Sequence, residues 1–212
     1  MILDEFYSHF IYKPDGKPGI GPVSGAAFVA DVENDPVILI DGLTKSFRYP
    51  GWRIGWAVGP SAIVETLGRA ASAIDGGPSQ PIQRAAVEVL EPERADQETN
   101  ALRQVFARKR NLMVGMLKEM GIRCSQEPEG TFYCWASIEN LPAPLNDGEA
   151  FFHAGLKHKV MTVPGVFFDV NPGKRRRRAS NFKSWVRFSF GPPEDNVREG
   201  LDRLEKMIRT AG

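Results

Sequence analysis

The 212-residue sequence predicts an α/β fold in two parts. Three observations carry that reading. A continuous apolar run, Pro36-Val37-Ile38-Leu39-Ile40, ends on Asp41-Gly42, as a strand covered on both faces does. Amphipathic helical stretches follow that strand closely, the pattern of a layered α/β domain. A long helical periodicity over residues 95–120 then separates this first part, residues 1–94, from a third stretch, residues 121–212, where short strands and helices mix.

The elements follow in order. The chain opens with Asp4-Glu5-Phe6-Tyr7, and Lys13-Pro14-Asp15-Gly16-Lys17-Pro18-Gly19 makes a turn-rich loop. Residues 24–33 predict a short helix, followed by the strand that ends near Asp41 and a second apolar strand over residues 54–58. Pro60-Ser61 begins a helix, because proline suits a helix's first turn. Asp75-Gly76-Gly77-Pro78-Ser79 ends it, and residues 81–90 make another. An incomplete sheet here would expose an edge and apolar faces. In the long helix Leu102, Val105, Phe106, Leu112, Met113, Met116 and Leu117 recur at helical steps, and Gly121 stops it. Beyond it, strands are expected near residues 122–125, 131–136, 160–163 and 185–189. Helices near 147–159 and 194–210 cover one side of them.

Composition is that of a globular protein, with 42% hydrophobic and 25% charged residues. A net charge of +1 argues against a general nucleic-acid surface. No apolar run is long enough to span a bilayer, and the first residues lack a secretory signal pattern, so a cytoplasmic protein is expected. Cys124 and Cys134 are too few for a disulfide scaffold, and His9, His153 and His158 have no metal-binding spacing. The basic run Lys174-Arg175-Arg176-Arg177-Arg178 lacks interleaved aromatic residues and reads as an exposed loop between two strands.

The chemistry concentrates in Leu43-Thr44-Lys45-Ser46-Phe47-Arg48-Tyr49-Pro50-Gly51-Trp52-Arg53-Ile54-Gly55-Trp56. Lys45 emerges just past a strand's carboxyl end, where open α/β sheets bind ligands. An amine desolvated in such a crevice is nucleophilic enough to form a Schiff base with an aldehyde. Arg53, delivered by the Pro50-Gly51 turn, offers a planar fork that pairs bidentately with phosphate. On its own, a loop lysine is more often simply solvated.

Two further stretches, Asp4-Glu5-Phe6-Tyr7 and Trp185-Val186-Arg187-Phe188-Ser189-Phe190-Gly191, change that balance. With Lys45 and Arg53, in that order, they resemble the C-terminal half of a fold-type I pyridoxal-phosphate aminotransferase of the class I/II family. The resemblance implies a partial large domain over residues 1–94, an interdomain helix over 95–120 and an α+β small domain over 121–212. It also implies that Lys45 carries the covalent link to pyridoxal 5'-phosphate and later shuttles the substrate's proton. Asp4 would pair with the pyridine nitrogen, Tyr7 with the phenolic oxygen, and Arg53 with the phosphate. Arg187 would clamp the substrate α-carboxylate, and strand alternation sets it with Trp185 and Ser189, away from Val186, Phe188 and Phe190. Gly42 stands where many family members carry a phosphate-binding hydroxyl, and Thr44 offers a hydroxyl directly before the lysine.

Gly130-Thr131-Phe132-Tyr133 and Val163-Pro164-Gly165 also resemble family landmarks, whereas residues 166–173 read as an insertion. The resemblance spans essentially the whole chain but only the C-terminal half of a family member. The family's glycine-rich phosphate loop, ring-stacking aromatic residue, asparagine near the phenolic oxygen and dimer-reaching N-terminal segment have no counterpart before Asp4. Three functions follow. The first is amino-group exchange between an amino acid and a 2-oxo acid, with a homodimer or a complementing N-terminal half as partner. The second is a non-catalytic remnant or interaction module. The third is a regulator's sensory module, which needs a DNA-binding domain not found in this sequence.

Overall fold

The computed structural model describes residues 1–211. They form two compact units: residues 1–13 with 18–104, and residues 14–17 with the chain from Val105 onward. In the first unit β1 (Ile2–Asp4) runs parallel to β2 (Ile38–Gly42), and β3 (Gly55–Val58) pairs antiparallel on the other side of β2. Helices α1 (Ser61–Ile74) and α2 (Gln80–Val89) follow, and α3 (Pro92–Glu119) runs on from this unit into the second.

The first unit buries Phe10, Tyr12 and Leu102, and a further apolar cluster follows β2. Leu43, Phe47, Ile54 and Ala86 are buried, with Tyr49, Trp52, Trp56, Ile82, Val89 and Ala95 packed around them. The expectation that β2 is covered on both faces is corrected, since Ile38 to Asp41 are only half-buried. Helix α1, which follows this sheet in the chain, likewise buries none of its residues.

The helix expected over residues 24–33 reduces to a 3-10 turn, Gly25–Phe28. Side chains beyond it bond the backbone instead. Asp31 accepts from the amides of Glu33 and Asn34, and Asp35 accepts from those of Ala30 and Asp31. Short acidic side chains used this way compete with helical bonding.

In the second unit four antiparallel strands lie in the order β4 (Arg123–Cys124), β5 (Tyr133–Ser137), β7 (Trp185–Ser189) and β6 (Val163–Pro164). Burial alternates along β5 and β7 except at Ser137, which is buried next to Ala136. Cys134, Ala136, Val186 and Phe188 are buried, while Tyr133, Trp135, Trp185 and Arg187 are half-buried on the other face. Helix α4 (Gly148–Lys157) brings Phe151 edge-on to Phe188 at 6.0 Å. Asp147 caps it by accepting from the amides of Glu149 and Ala150. Helix α5 (Glu194–Ala211) adds Val197, Leu201, Leu204 and Met207, all buried.

Helix α3 departs from its apolar pattern in two ways. Val105 is exposed, whereas Arg103, Lys109 and Arg110 are buried. Each buried cation donates to loop carbonyls. Arg103 Nη1 reaches Gly19, Lys109 Nζ reaches Gly191 and Pro192, and Arg110 Nε reaches Pro128. Gly121, at φ 77°, takes the left-handed conformation that ends the helix.

The basic run is also less uniform than its charge suggests, because Arg176 is half-buried in a pair with Asp169. Among the described residues, no helix is long and apolar enough to cross a membrane.

Candidate active site

The parallel pairing of β1 with β2 sets Asp4 opposite Ile40, so both strands release the chain at the same end of the sheet. From Asp4 the chain turns through Phe6, whose amide donates to Asp4 Oδ1 at 3.3 Å, to Tyr7. From Gly42 it turns through Thr44 and Lys45, both half-buried. The Lys45 turn is anchored on either side. Leu43 and Phe47 are buried in the core, and Ser46 Oγ donates to the Phe6 carbonyl at 2.9 Å. The amide of Tyr49 closes back on the Leu43 carbonyl at 3.0 Å, and Arg48 pairs with Glu98. These contacts bring the two motifs together, with Lys45 Nζ 6.0 Å from the centre of the Tyr7 ring.

Arg53 follows the 3-10 turn Pro50–Trp52 and adopts φ 55°, a left-handed conformation that costs a non-glycine residue on the order of 1 kcal/mol. Its side chain is exposed, with Nη1 donating to the Pro50 carbonyl at 3.0 Å. Beside it runs an open groove of about 620 Å³ lined by Gly51, Trp52, Gly55, Asp75, Ser79 and Ile82. A residue kept in this conformation, with a phosphate-type fork at the lip of a groove, is a functional candidate.

Gly42 has a steric explanation. A Cβ there would lie 2.6 Å from the Ile54 carbonyl oxygen, 2.7 Å from Gly55 Cα and 2.8 Å from the Phe6 ring. Two of those three neighbours are backbone, so β3 packs where a side chain would stand.

Three carboxylates, Asp4, Glu5 and Asp41, act on one another at this end of the sheet. Burial pushes the Asp41 carboxyl up to about 6, and the neighbouring Glu5 and Asp4 add to it. Its Oδ1 accepts from the Gly42 amide at 2.7 Å. Glu5 is occupied elsewhere, accepting from Ser24 Oγ at 2.6 Å and the Gly25 amide at 2.7 Å. His9 lies behind the Lys45 turn, its ring against Phe47 and its Nδ1 3.0 Å from Thr99 Oγ1. Burial, then the charge of Arg103, hold its pKa below the usual histidine value.

Arg187 belongs to the second unit. It sits centrally on β7, opposite Trp135 of β5 and Val163 of β6. Its guanidinium carbon lies 4.2 Å from the centre of the Tyr133 ring and 4.7 Å from that of Phe168.

Sequence reasoning missed three participants at these places. Asp41 read only as a turn signal, Glu5 as part of a motif, and Phe168 as part of an insertion. A carboxylate at the end of an apolar strand was the available signal for Asp41, since burial there must raise its pKa. The ring contact of Phe168 depends on a long connection and had no local signal.

A family model described as aminotransferase class I and II matches residues 1–204. The aspartate aminotransferase of Pyrococcus abyssi is 30% identical over 209 residues, covering 99% of this chain and 49% of that relative. The LL-diaminopimelate aminotransferase of Halothermothrix orenii is 32% identical over 194 residues, covering 92% and 45%. Among solved structures, the aromatic aminotransferase from Pyrococcus horikoshii superposes with a TM-score of 0.80 at 28% identity, covering 99% of this chain and 51% of that one. The chain thus spans about half the length of the curated relatives it matches.

Proposed function

The chain belongs to the aminotransferase class I and II family, and we propose that it is the lysine-bearing part of an enzyme that exchanges an amino group between an amino acid and a 2-oxo acid. The observation that carries the reading is the convergence of Lys45 and Tyr7, from separate motifs, at one end of the β1–β2 pair. The donor set fits pyridoxal 5'-phosphate group by group. Lys45 offers a primary amine to the aldehyde, Asp4 a carboxylate to the pyridine nitrogen, Tyr7 a phenol to the phenolic oxygen and Arg53 a guanidinium to the phosphate. Thr44 adds a hydroxyl directly before the lysine, where Gly42 has no room for a side chain. When bound, the cofactor supplies an electron sink for the pair left on the substrate carbon.

The chain's own residues divide the remaining work. Lys45 Nζ takes the proton from the substrate carbon and returns it, a task suited to an amine on an anchored turn. Asp4, an anion beside the pyridine nitrogen, keeps that nitrogen protonated. Arg187 binds the α-carboxylate through its planar fork. Which side chain the substrate carries is left to residues outside these motifs, since the relatives named above differ in their substrates.

A cytoplasmic setting accords with the two free cysteines. The apolar faces left open on α1, at Ile63, Leu67 and Ile74, argue for a covering partner. That partner is the portion of the enzyme that the relatives possess beyond the span matched here, or a second copy.

Pyridoxal 5'-phosphate added to the protein, followed by borohydride reduction and peptide mapping, should mark Lys45. Lys45→Ala should abolish the mark. A label confined to other lysines would overturn the assignment.

A further inference from the structure

Residues Gly165–Phe168 make a 3-10 turn directly after β6, and an ion pair holds the chain that follows. Arg176 Nη1 donates to Asp169 Oδ1 at 2.7 Å, and Nη2 donates to Oδ2. The Asp169 side chain is only 10% exposed, and the Arg176 amide donates to Asn171 Oδ1 at 3.0 Å. Hydrogen bonding from Arg176 holds the Asp169 carboxyl well below the usual carboxylate range. A bidentate pair of this kind restrains both partners in one plane.

The restrained segment returns Phe168 to the sheet. Its ring meets Trp135 edge-on at 5.4 Å and 90°, and its centre lies 4.7 Å from the Arg187 guanidinium carbon. Tyr133, two residues along β5 from Trp135 and on the same face, makes the second ring contact at 4.2 Å. A guanidinium keeps its N–H donors in its own plane and presents its faces to aromatic rings. Two ring contacts therefore restrain that plane and leave the donor-bearing edge for an anion.

We propose that Phe168 is a positioning residue for Arg187, fixing the guanidinium plane so that the site selects ligands presenting a carboxylate in that plane. The proposal rests on the reading of Arg187 as the carboxylate clamp. Phe168 is 37% exposed, so its truncation removes a contact on Arg187 without emptying a core.

Phenylglyoxal, which reacts with guanidinium groups, tests it when adducts are mapped by peptide mass. Phe168→Ala should raise the modification rate of Arg187 about five-fold, the scale of one cation–π contact. Phe168→Tyr should restore the slow rate, and Arg108, exposed on α3, should react equally in all forms. Pyruvate, as a small 2-oxo acid, should protect Arg187 in the unaltered protein and protect it several-fold less well in Phe168→Ala. Equal Arg187 rates with and without the Phe168 ring would overturn the positioning role. Failure of pyruvate to protect Arg187 in the unaltered protein would instead overturn the carboxylate clamp, and the rate comparison would still judge the ring contact.

Discussion

Helices α1 and α5 both carry apolar residues at helical spacing, but they end in opposite environments. In α5, Val197, Leu201, Leu204 and Met207 are between 1% and 5% exposed. In α1, Ile63, Leu67 and Ile74 are 41%, 45% and 83% exposed. An amphipathic pattern states that a face must be covered, and the identity of the cover is a separate matter. The same contrast runs through the two units. The second covers a sheet face with helices, whereas the first buries a cluster of Leu43, Phe47, Ile54 and Ala86 at the Lys45 turn and leaves the apolar residues of α1 open. The candidate chemistry of Lys45 therefore stands on a small anchored patch.

The sharpest test of this contrast is a matched pair of truncations followed by chemical unfolding. Leu201→Ala should cost roughly 2–5 kcal/mol, the range for a buried leucine. Leu67→Ala should cost less than about 0.5 kcal/mol. Comparable losses at both positions would mean that α1 is covered after all.

Lys109→Ala should come next, at about 1–3 kcal/mol, because it leaves the carbonyls of Gly191 and Pro192 without their donor. Lys109 also lies 3.6 Å from the centre of the Phe106 ring. Lys109→Met, which keeps the stem, should recover only the packing part. Full recovery would show that the two carbonyl bonds contribute nothing.

Acid dependence should separate two groups of the first unit. Asp41 titrates near 6 in the folded protein and near 3.8 ordinarily, so between those values the folded form keeps a proton that the unfolded chain has released. Stability from Asp41 thus falls as pH rises from about 4 to about 6, then levels off. His9 acts in the opposite sense, since the unfolded chain takes its proton first as pH drops below about 6.5. Asp41→Asn keeps an acceptor for the Gly42 amide and removes only the first slope. Its unfolding free energy should exceed that of the unaltered protein above pH 6, by an amount on the order of 1 kcal/mol, and converge with it near pH 4. A pH-independent difference would contradict the burial of Asp41.

The smallest effect should come from polar substitution of α1. Leu67→Gln should leave stability unchanged within about 0.5 kcal/mol while lowering the binding of an apolar dye such as anilinonaphthalene sulfonate. Unchanged dye binding would place the open apolar surface elsewhere.

Much of the fold was legible because it depends on local periodicity. The alternation in Trp185 to Ser189 set its buried and half-buried faces, and proline and glycine punctuation bounded α1 and α2. The 3-10 turn at Gly25–Phe28 was misread because Asp31 and Asp35 bond backbone amides that a helix would use. The burial of Arg103, Lys109 and Arg110 was not legible for a different reason. Their charge argues for solvent, and only distant loops supply the carbonyls that make burial tolerable.

The sequence by itself determined the order and spacing of the motifs around Asp4, Tyr7, Lys45, Arg53 and Arg187, because those are properties of the chain. It also determined most helices and strands, whose periods of 3.6 and 2 are written in neighbouring residues. Only the tertiary structure decided that Tyr7 lies 6.0 Å from Lys45, that Gly42 has no room for a side chain, and that Phe168 contacts Arg187. Those facts arise from strand pairing and loop return between residues far apart in sequence. No local propensity encodes a distance that the rest of the fold must close.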